Sequence, residues 1–285
     1  MLLLVLASLL WSVSFALIGR SGIDPDVLAA ARLALAALLF SPVLLQERVQ
    51  PRRALALMGV GALQFGLMYV LVMRAYAHLA GHEVALLTIT TPVLVVLAGG
   101  LFAKRGPRLG DARAWCAASV AVAAAYTLRA GGARVESEGG FWTGVALVQG
   151  ANLAWAAGQV LYARIEPSAG GGSTARFGWL YVGAALVAGG WAAGHVGRAD
   201  LALDRGQILT LLYLGLVPSG VAFFLWNRGA TQVGIGTLAV MNNLKVPLAV
   251  AVALAPPFNE PADLPSLLAS AALLAAALWI ARPRR

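Results

Sequence analysis

The feature that most constrains this chain is a succession of long apolar stretches joined by short connections. A helix that crosses a bilayer needs about 20 mainly apolar residues. Charged residues, proline and glycine divide the 285-residue sequence into ten stretches of that kind, at 2–18, 27–45, 54–77, 84–103, 112–128, 141–165, 174–194, 208–226, 235–254 and 264–281. The sequence therefore predicts an all-α integral membrane protein with ten transmembrane helices.

Composition agrees with this prediction. Only 12% of the residues are charged, whereas soluble domains have about 25%. The chain has one cysteine, Cys116, which excludes a disulfide framework and a cysteine cluster for metal. We therefore expect no metal and no cofactor, and a lipid bilayer as the environment.

The basic residues predict the orientation of the spans. With the N-terminus inside, the inner segments carry thirteen Lys and Arg and the outer segments six, and Arg32 and Lys245 lie within spans. The positive-inside rule then places both termini in the cytoplasm of a bacterial-type inner membrane. This distribution accounts for the formal net charge of +9 without nucleic-acid binding.

The two halves of the chain share a weak internal repeat. Trp11 aligns with Trp155, and Pro92 aligns with Pro247 at a similar offset. Five spans per unit is an odd number, so the second unit must cross the membrane in the opposite sense, as in many secondary transporters. We expect a first five-helix unit at 1–133 and an inverted second unit at 138–285.

Short motifs in the two halves occur in a recognisable order. They are Leu10-Trp11 and Ala154-Trp155, the run DVLAAARL at 26–33, and the helix pairs 67–70 with 91–93 and 220–226 with 246–248. In this order they resemble the EamA family of the drug/metabolite transporter superfamily, with YddG-type amino acid exporters as the nearest members. The resemblance implies an inner-membrane exporter of small metabolites that works by alternating access, and we expect a monomer.

Amides and aromatic rings inside the spans are candidate substrate-binding residues, because hydrocarbon offers polar groups no partner. In the sixth span Gln149, Asn152 and Gln159 fall within an arc of roughly 80°, with Trp155 at its edge. Trp11 has the equivalent place in the first span. The alternative is that the amides join neighbouring helices.

The third span and the connection after it add Gln64, Tyr69, Tyr76 and His78. The two tyrosines are two turns apart and can stack on an apolar substrate group, although Tyr76 also suits an interfacial anchor. His78 and His82 have metal-ligand spacing, but no further ligands recur nearby, so we predict no metal site.

Lys245 is the sharpest single candidate, because it lies about 16 Å into the ninth span, on the same face as Asn242. It either binds a substrate carboxylate or takes part in proton coupling; the alternative is a lysine tied to backbone carbonyls. For Arg32 a helix-tying role is expected. No Asp or Glu lies inside a predicted span, so two cations without an anion favour zwitterionic or anionic cargo.

The prolines suggest where helices bend. Pro92 and Pro247 interrupt equivalent spans, and a proline in a helix interior removes a hydrogen bond and kinks the helix. We expect these two positions to act as hinges during alternating access, the alternative being static kinks.

The sequence thus predicts a secondary transporter that exports amino acids or similar small metabolites. Aromatic and other hydrophobic amino acids are among the expected substrates. The alternative transporter carries another metabolite such as a nucleotide sugar or a sugar phosphate, although one deep lysine offers little charge for a phosphate. An integral-membrane enzyme is the remote alternative. Ser219 has no histidine or carboxylate at a comparable depth to activate it, so no catalytic residue is expected.

Overall fold

Helices account for the regular structure of this protein wherever it is described. The structure, a computed structural model, describes residues 1–44, 46, 48–91, 94, 98, 116, 119–120, 123–124, 126–127, 138–165, 174–230 and 235–281. In this part of the chain nine helices follow one another: α1 Leu2–Arg20, α2 Pro25–Leu44, α3 Pro51–Ala75, α4 Gly81–Leu87, α5 Glu138–Ile165, α6 Thr174–Ala193, α7 at 205–230, α8 Ile235–Leu254 and α9 Leu264–Ala281.

Most predicted spans coincide with a helix to within a few residues. Helices α3, α4, α5 and α7 each begin three residues before the predicted span, and α7 ends four residues after it. The predicted span at 112–128, and the fourth span beyond residue 91, fall largely outside the described residues. Within the described residues α1, α2, α3 and α7 are long and apolar enough to cross a membrane.

The described helices bury polar groups and leave large apolar side chains outside. Leu38, Leu55 and Leu268 are each exposed by about two thirds, whereas Ser8 and Ser219 are fully buried. Soluble proteins bury large aliphatic side chains and leave polar ones in water. Exposed leucines together with buried serines are expected when lipid covers the outer face and polar groups face the bundle interior.

Helix contacts between the two halves occur in corresponding pairs. The first helix of each half packs on the fourth of the other, which gives α1 with α8 and α5 with α4. The third of each half packs on the second of the other, which gives α3 with α6 and α7 with α2. Helices α2 and α6, the second of each half, pack on one another.

Helices α3 and α6 cross at two glycines. A Cβ atom added at Gly61 would overlap the carbonyl group of Leu180, and one added at Gly183 would overlap the carbonyl group of Met58. Small residues let helix backbones approach this closely in membranes. The crossing therefore depends on the absence of a side chain at both positions.

Both α3 and α7 contain a π-helical turn, Ala62–Leu67 in α3 and Val217–Ala222 in α7. Pro218 explains the turn in α7, because proline has no N–H for the α-helical ladder. A π-turn leaves backbone carbonyls free for other donors, and such turns are frequent at functional sites. The two turns lie at the same separation in the sequence as Pro92 and Pro247.

Candidate functional site

A central cavity lies between α1, α2, α3, α5, α7, α8 and the turn of 3₁₀ helix Thr88–Thr90 that follows α4. Its empty volume is about 710 Å³, including the space at its mouth. Apolar and aromatic side chains dominate the lining, and a few polar groups converge on it, as in other small-molecule sites. The lining residues are Trp11, Ser14, Phe15, Ile18, Arg32, Met68, Tyr69, Val72, Met73, Tyr76, Thr88, Thr91, Ala151, Asn152, Trp155, Phe223 and Lys245.

Aromatic side chains from both halves form one wall of the cavity. The ring of Phe223 lies 4.8 Å from that of Trp11 and 5.3 Å from that of Trp155, between ring centroids. The ring centroid of Phe65 lies 5.6 Å from that of Trp155. Ring contacts of this kind fix both indoles, which provide a flat surface for an apolar substrate group.

Lys245 places a cation in this wall without a matching anion. Its Nζ atom lies 5.4 Å from the ring centroid of Trp11, within the range of a cation–π interaction. Among the described residues it has neither a carboxylate nor a hydrogen-bonding partner. The lysine is therefore available for an anionic ligand, and the expected alternative, a bond to backbone carbonyls, is not observed in the described part of the chain.

Arg32, for which a helix-tying role was expected, is the second cation of the cavity. It is 3% exposed; its Nε donates to Ser219 Oγ at 3.1 Å and its Nη2 to Tyr69 Oη at 3.4 Å. Its guanidinium also lies 4.8 Å from the Tyr69 ring centroid. Arg32 thus ties α2 to α3 and α7, as expected, and also lines the cavity. All the partners named here are uncharged.

Ser219 holds this group together. Its hydroxyl donates to Leu214 O at 2.8 Å, so Tyr69 Oη, at 3.0 Å, is the donor in their shared hydrogen bond. Its carbonyl accepts from the Tyr181 hydroxyl. The preceding carbonyl, of Pro218, accepts from Trp11 Nε1 at 2.9 Å. The π-turn of α7 therefore supplies the polar partners on which Arg32, Tyr69 and Trp11 depend.

We expect Ser219→Ala to lower the free energy of unfolding by roughly 1–3 kcal/mol, because it leaves Arg32 Nε and the Tyr69 hydroxyl buried without their acceptor. Thermal unfolding in detergent measures this loss. Ser41→Ala is the matched control, since the Ser41 hydroxyl also bonds a carbonyl of its own helix, Leu38 O at 2.8 Å, but is exposed. Equal stability of the two variants would contradict a central role for Ser219.

The amides of α5 divide between the two predicted roles. Gln149 joins α5 to the turn after α4: Thr90 Oγ1 lies 2.7 Å from its Oε1, and its Nε2 donates to Leu87 O at 3.3 Å. Asn152 makes similar bonds to Leu87 and Thr90 but also lines the cavity. Gln149 therefore only joins helices, whereas Asn152 both joins helices and lines the cavity.

Six predicted substrate-binding residues line the cavity, namely Trp11, Tyr69, Tyr76, Asn152, Trp155 and Lys245. Gln64 does not, because it packs against α5 where a Cβ added at Gly158 would overlap it. Gln149 is hydrogen-bonded to the turn after α4 and does not line the cavity. Gln159 and His78 do not line it either. The side chain of Asn242, and Pro92, lie outside the described residues.

The predicted outer side of the bundle is held by charged contacts near the helix ends. Arg74 donates to both carboxylate oxygens of Asp26, at 2.9 and 2.7 Å. His82 Nδ1 lies 2.7 Å from Glu260 Oε2, while Glu83 caps the first turn of α4 through the N–H of Ala80. His82 and Glu83 are therefore occupied in interhelical and capping contacts.

Comparison with known proteins gives a consistent result. The model of the EamA-like transporter family matches residues 1–129. The biotin transporter of Salmonella typhimurium is 37% identical over 99% of this chain and 93% of its own, and that of Escherichia coli K12 is 35% identical over the same shares. A probable biotin transporter of Pseudomonas aeruginosa is 39% identical over 98% of this chain and 96% of its own.

One solved crystal structure has the same fold. It superposes on this chain with a TM-score of 0.63 at 20% identity, covering 98% of this chain and 95% of the other. The relatives are named for biotin and not for amino acids, so the expected likeness to YddG-type amino acid exporters finds support only at the level of the family.

Proposed function

This chain belongs to the EamA-like transporter family, and we propose that it is a secondary transporter of biotin or of a closely similar carboxylate with a neutral ring. It is a multi-pass membrane protein, and the names of its family and relatives indicate a transporter, not an enzyme. The observation that carries the proposal is a cavity with two cations and aromatic walls. The relatives named as biotin transporters support it.

The charges of the cavity favour an anionic cargo. Arg32 and Lys245 both line it, and no aspartate or glutamate does so among the described residues. A carboxylate neutralises a buried cation that otherwise has to be desolvated alone. Biotin carries one carboxylate on a flexible chain, and its fused ring system has no charge.

An amino acid matches this lining less well. Its carboxylate suits Lys245, but its ammonium group needs an anion or several well-placed acceptors in a desolvated site. In the described lining the acceptors are hydroxyl and amide oxygens, without a carboxylate. Amino acid export, the cargo and direction predicted from the sequence, is therefore the second candidate.

Competition binding separates the two cargoes. Purified protein in detergent is incubated with radiolabelled biotin and challenged with unlabelled biotin, biotinol, leucine or tryptophan. The proposal predicts displacement by biotin, weaker displacement by biotinol, in which an alcohol replaces the carboxylate, and none by the amino acids. Binding of an amino acid without binding of biotin would favour the second candidate.

We propose that the cavity opens alternately to the two sides through two inverted five-helix units, at 1–133 and 138–285, in the inner membrane with both termini in the cytoplasm. The paired helix contacts and the matching π-turns at Ala62–Leu67 and Val217–Ala222 support this arrangement. A site between two inverted repeats, near the bilayer midplane, is the usual plan of such transporters.

Pro247→Ala should lower the maximal transport rate several-fold and leave substrate affinity nearly unchanged. Pro247 lies inside α8 and leaves the carbonyl of Asn243 without its helical donor, so restoring the hydrogen bond stiffens a proposed bending point. Rate and affinity are measured by uptake into proteoliposomes and by binding. Pro51→Ala is the control, because Pro51 lies at the start of α3, where proline causes no kink. Equal loss of rate and affinity would argue for a static kink.

A further inference from the structure

Asn152 and Trp155 line the cavity from one face of α5. They are one helical turn apart, so their side chains are neighbours on the helix surface. Both line the cavity, and they are 6% and 7% exposed. Each has one polar atom that lacks a partner among the described residues, as follows.

The orientation of the Asn152 amide is fixed by its neighbours. Its Nδ2 lies 3.1 Å from Leu87 O and 3.2 Å from Thr90 Oγ1. A backbone carbonyl can only accept, so the nitrogen must face Leu87, and both amide protons are then engaged. The oxygen Oδ1 therefore faces away from this turn and has no partner within the described residues. It is an acceptor available to a ligand.

Trp155 supplies the complementary donor. Its Nε1 is buried without a hydrogen-bond partner in the described part of the chain, whereas the equivalent Trp11 donates to Pro218 O. An indole N–H that is buried usually has a partner, and leaving it without one is costly. Because Phe65 and Phe223 hold the ring, the N–H cannot easily turn to find one.

The protein thus offers an acceptor, Asn152 Oδ1, next to a donor, Trp155 Nε1. A ligand group with an N–H next to a C=O on one edge is complementary to this pair. We propose that Asn152 and Trp155 bind the cyclic urea of the substrate, with a urea N–H donating to Asn152 Oδ1 and the urea oxygen accepting from Trp155 Nε1. This inference rests on the proposed function and assigns the end of the substrate that Lys245 does not hold. Lys245 lies against Trp11, and Phe223 contacts both indoles. The carboxylate and the urea are then bound by different side chains of the same cavity.

The test compares two ligands in one variant. Trp155→Phe keeps an aromatic ring and removes the N–H, and its affinity for biotin is measured by calorimetry beside that for 5-cyclohexylpentanoate, a ring-bearing carboxylate without a urea. We expect roughly three- to tenfold weaker biotin binding, the loss of one hydrogen bond, and unchanged binding of the second ligand. A second measurement uses the wild-type protein alone. Biotin that is alkylated on a ureido nitrogen should bind to it more weakly than biotin does.

Trp179→Phe is the matched control. The Nε1 of Trp179 is also buried without a partner among the described residues, but Trp179 does not line the cavity, so this variant should retain wild-type selectivity for biotin. Unchanged selectivity in Trp155→Phe would overturn the assignment while leaving biotin transport intact. Absence of biotin binding to wild type would overturn the proposed function together with this assignment.

Discussion

Replacing Lys245 with methionine is expected to weaken biotin binding roughly 10- to 100-fold, because a hydrogen bond to a charged group contributes about 1.5–3 kcal/mol. Methionine has a similar length and no charge, so the wall next to Trp11 stays filled. Titration of purified protein with radiolabelled biotin measures the change. The fold should tolerate the variant, because an unpaired buried cation is costly to keep.

Two controls separate the charge of Lys245 from its shape. Lys245→Arg retains the cation and should bind biotin far more tightly than the methionine variant. Biotinol has no carboxylate, so its affinity should be the same for wild type and Lys245→Met. Wild-type biotin affinity in Lys245→Met would show that the carboxylate is held elsewhere, and Arg32 would then be the residue to test.

Gly61→Ala should destabilise the fold by roughly 1–3 kcal/mol or more, because the added methyl group overlaps the backbone of α6 and helix packing resists such insertions. The expected fall in the midpoint of thermal unfolding in detergent is roughly 2–12 °C. Gly183→Ala should behave in the same way, because its methyl group overlaps the backbone of α3.

Gly59→Ala is the control for this crossing. Gly59 lies on the same helix, and nothing lies within 4 Å of a Cβ added there, so alanine should be neutral or slightly stabilising through its higher helix propensity. If Gly61→Ala and Gly59→Ala unfold at the same temperature, α3 and α6 do not cross as closely as described.

The sequence was sufficient to predict helices and most of their bounds. Bilayer thickness sets the length of a span, so apolar length alone marks each helix. Polar and aromatic residues within spans were also informative, because few such residues occur by chance where hydrocarbon surrounds the chain. Five residues predicted in this way come from four different helices and meet in one cavity, namely Trp11, Tyr69, Asn152, Trp155 and Lys245.

The rest depended on packing between distant segments. Gln149 and Asn152 share a face by helical periodicity, yet only Asn152 lines the cavity, because the turn after α4 engages Gln149. Ser219 was considered only as an unactivated nucleophile, and its role as the partner of Arg32 and Tyr69 required the π-turn to be seen. A serine directly after a proline in an apolar span was the available signal.

Counterflow tests whether this chain carries biotin through the cavity. Proteoliposomes are loaded with unlabelled biotin and diluted into labelled biotin, so exchange is measured whatever the direction of net transport and whatever the coupling ion. We predict transient accumulation of label that is saturable, depends on internal biotin and is strongly reduced in Lys245→Met. Counterflow driven by internal leucine or tryptophan, with none driven by biotin, would show that an amino acid and not biotin is the cargo.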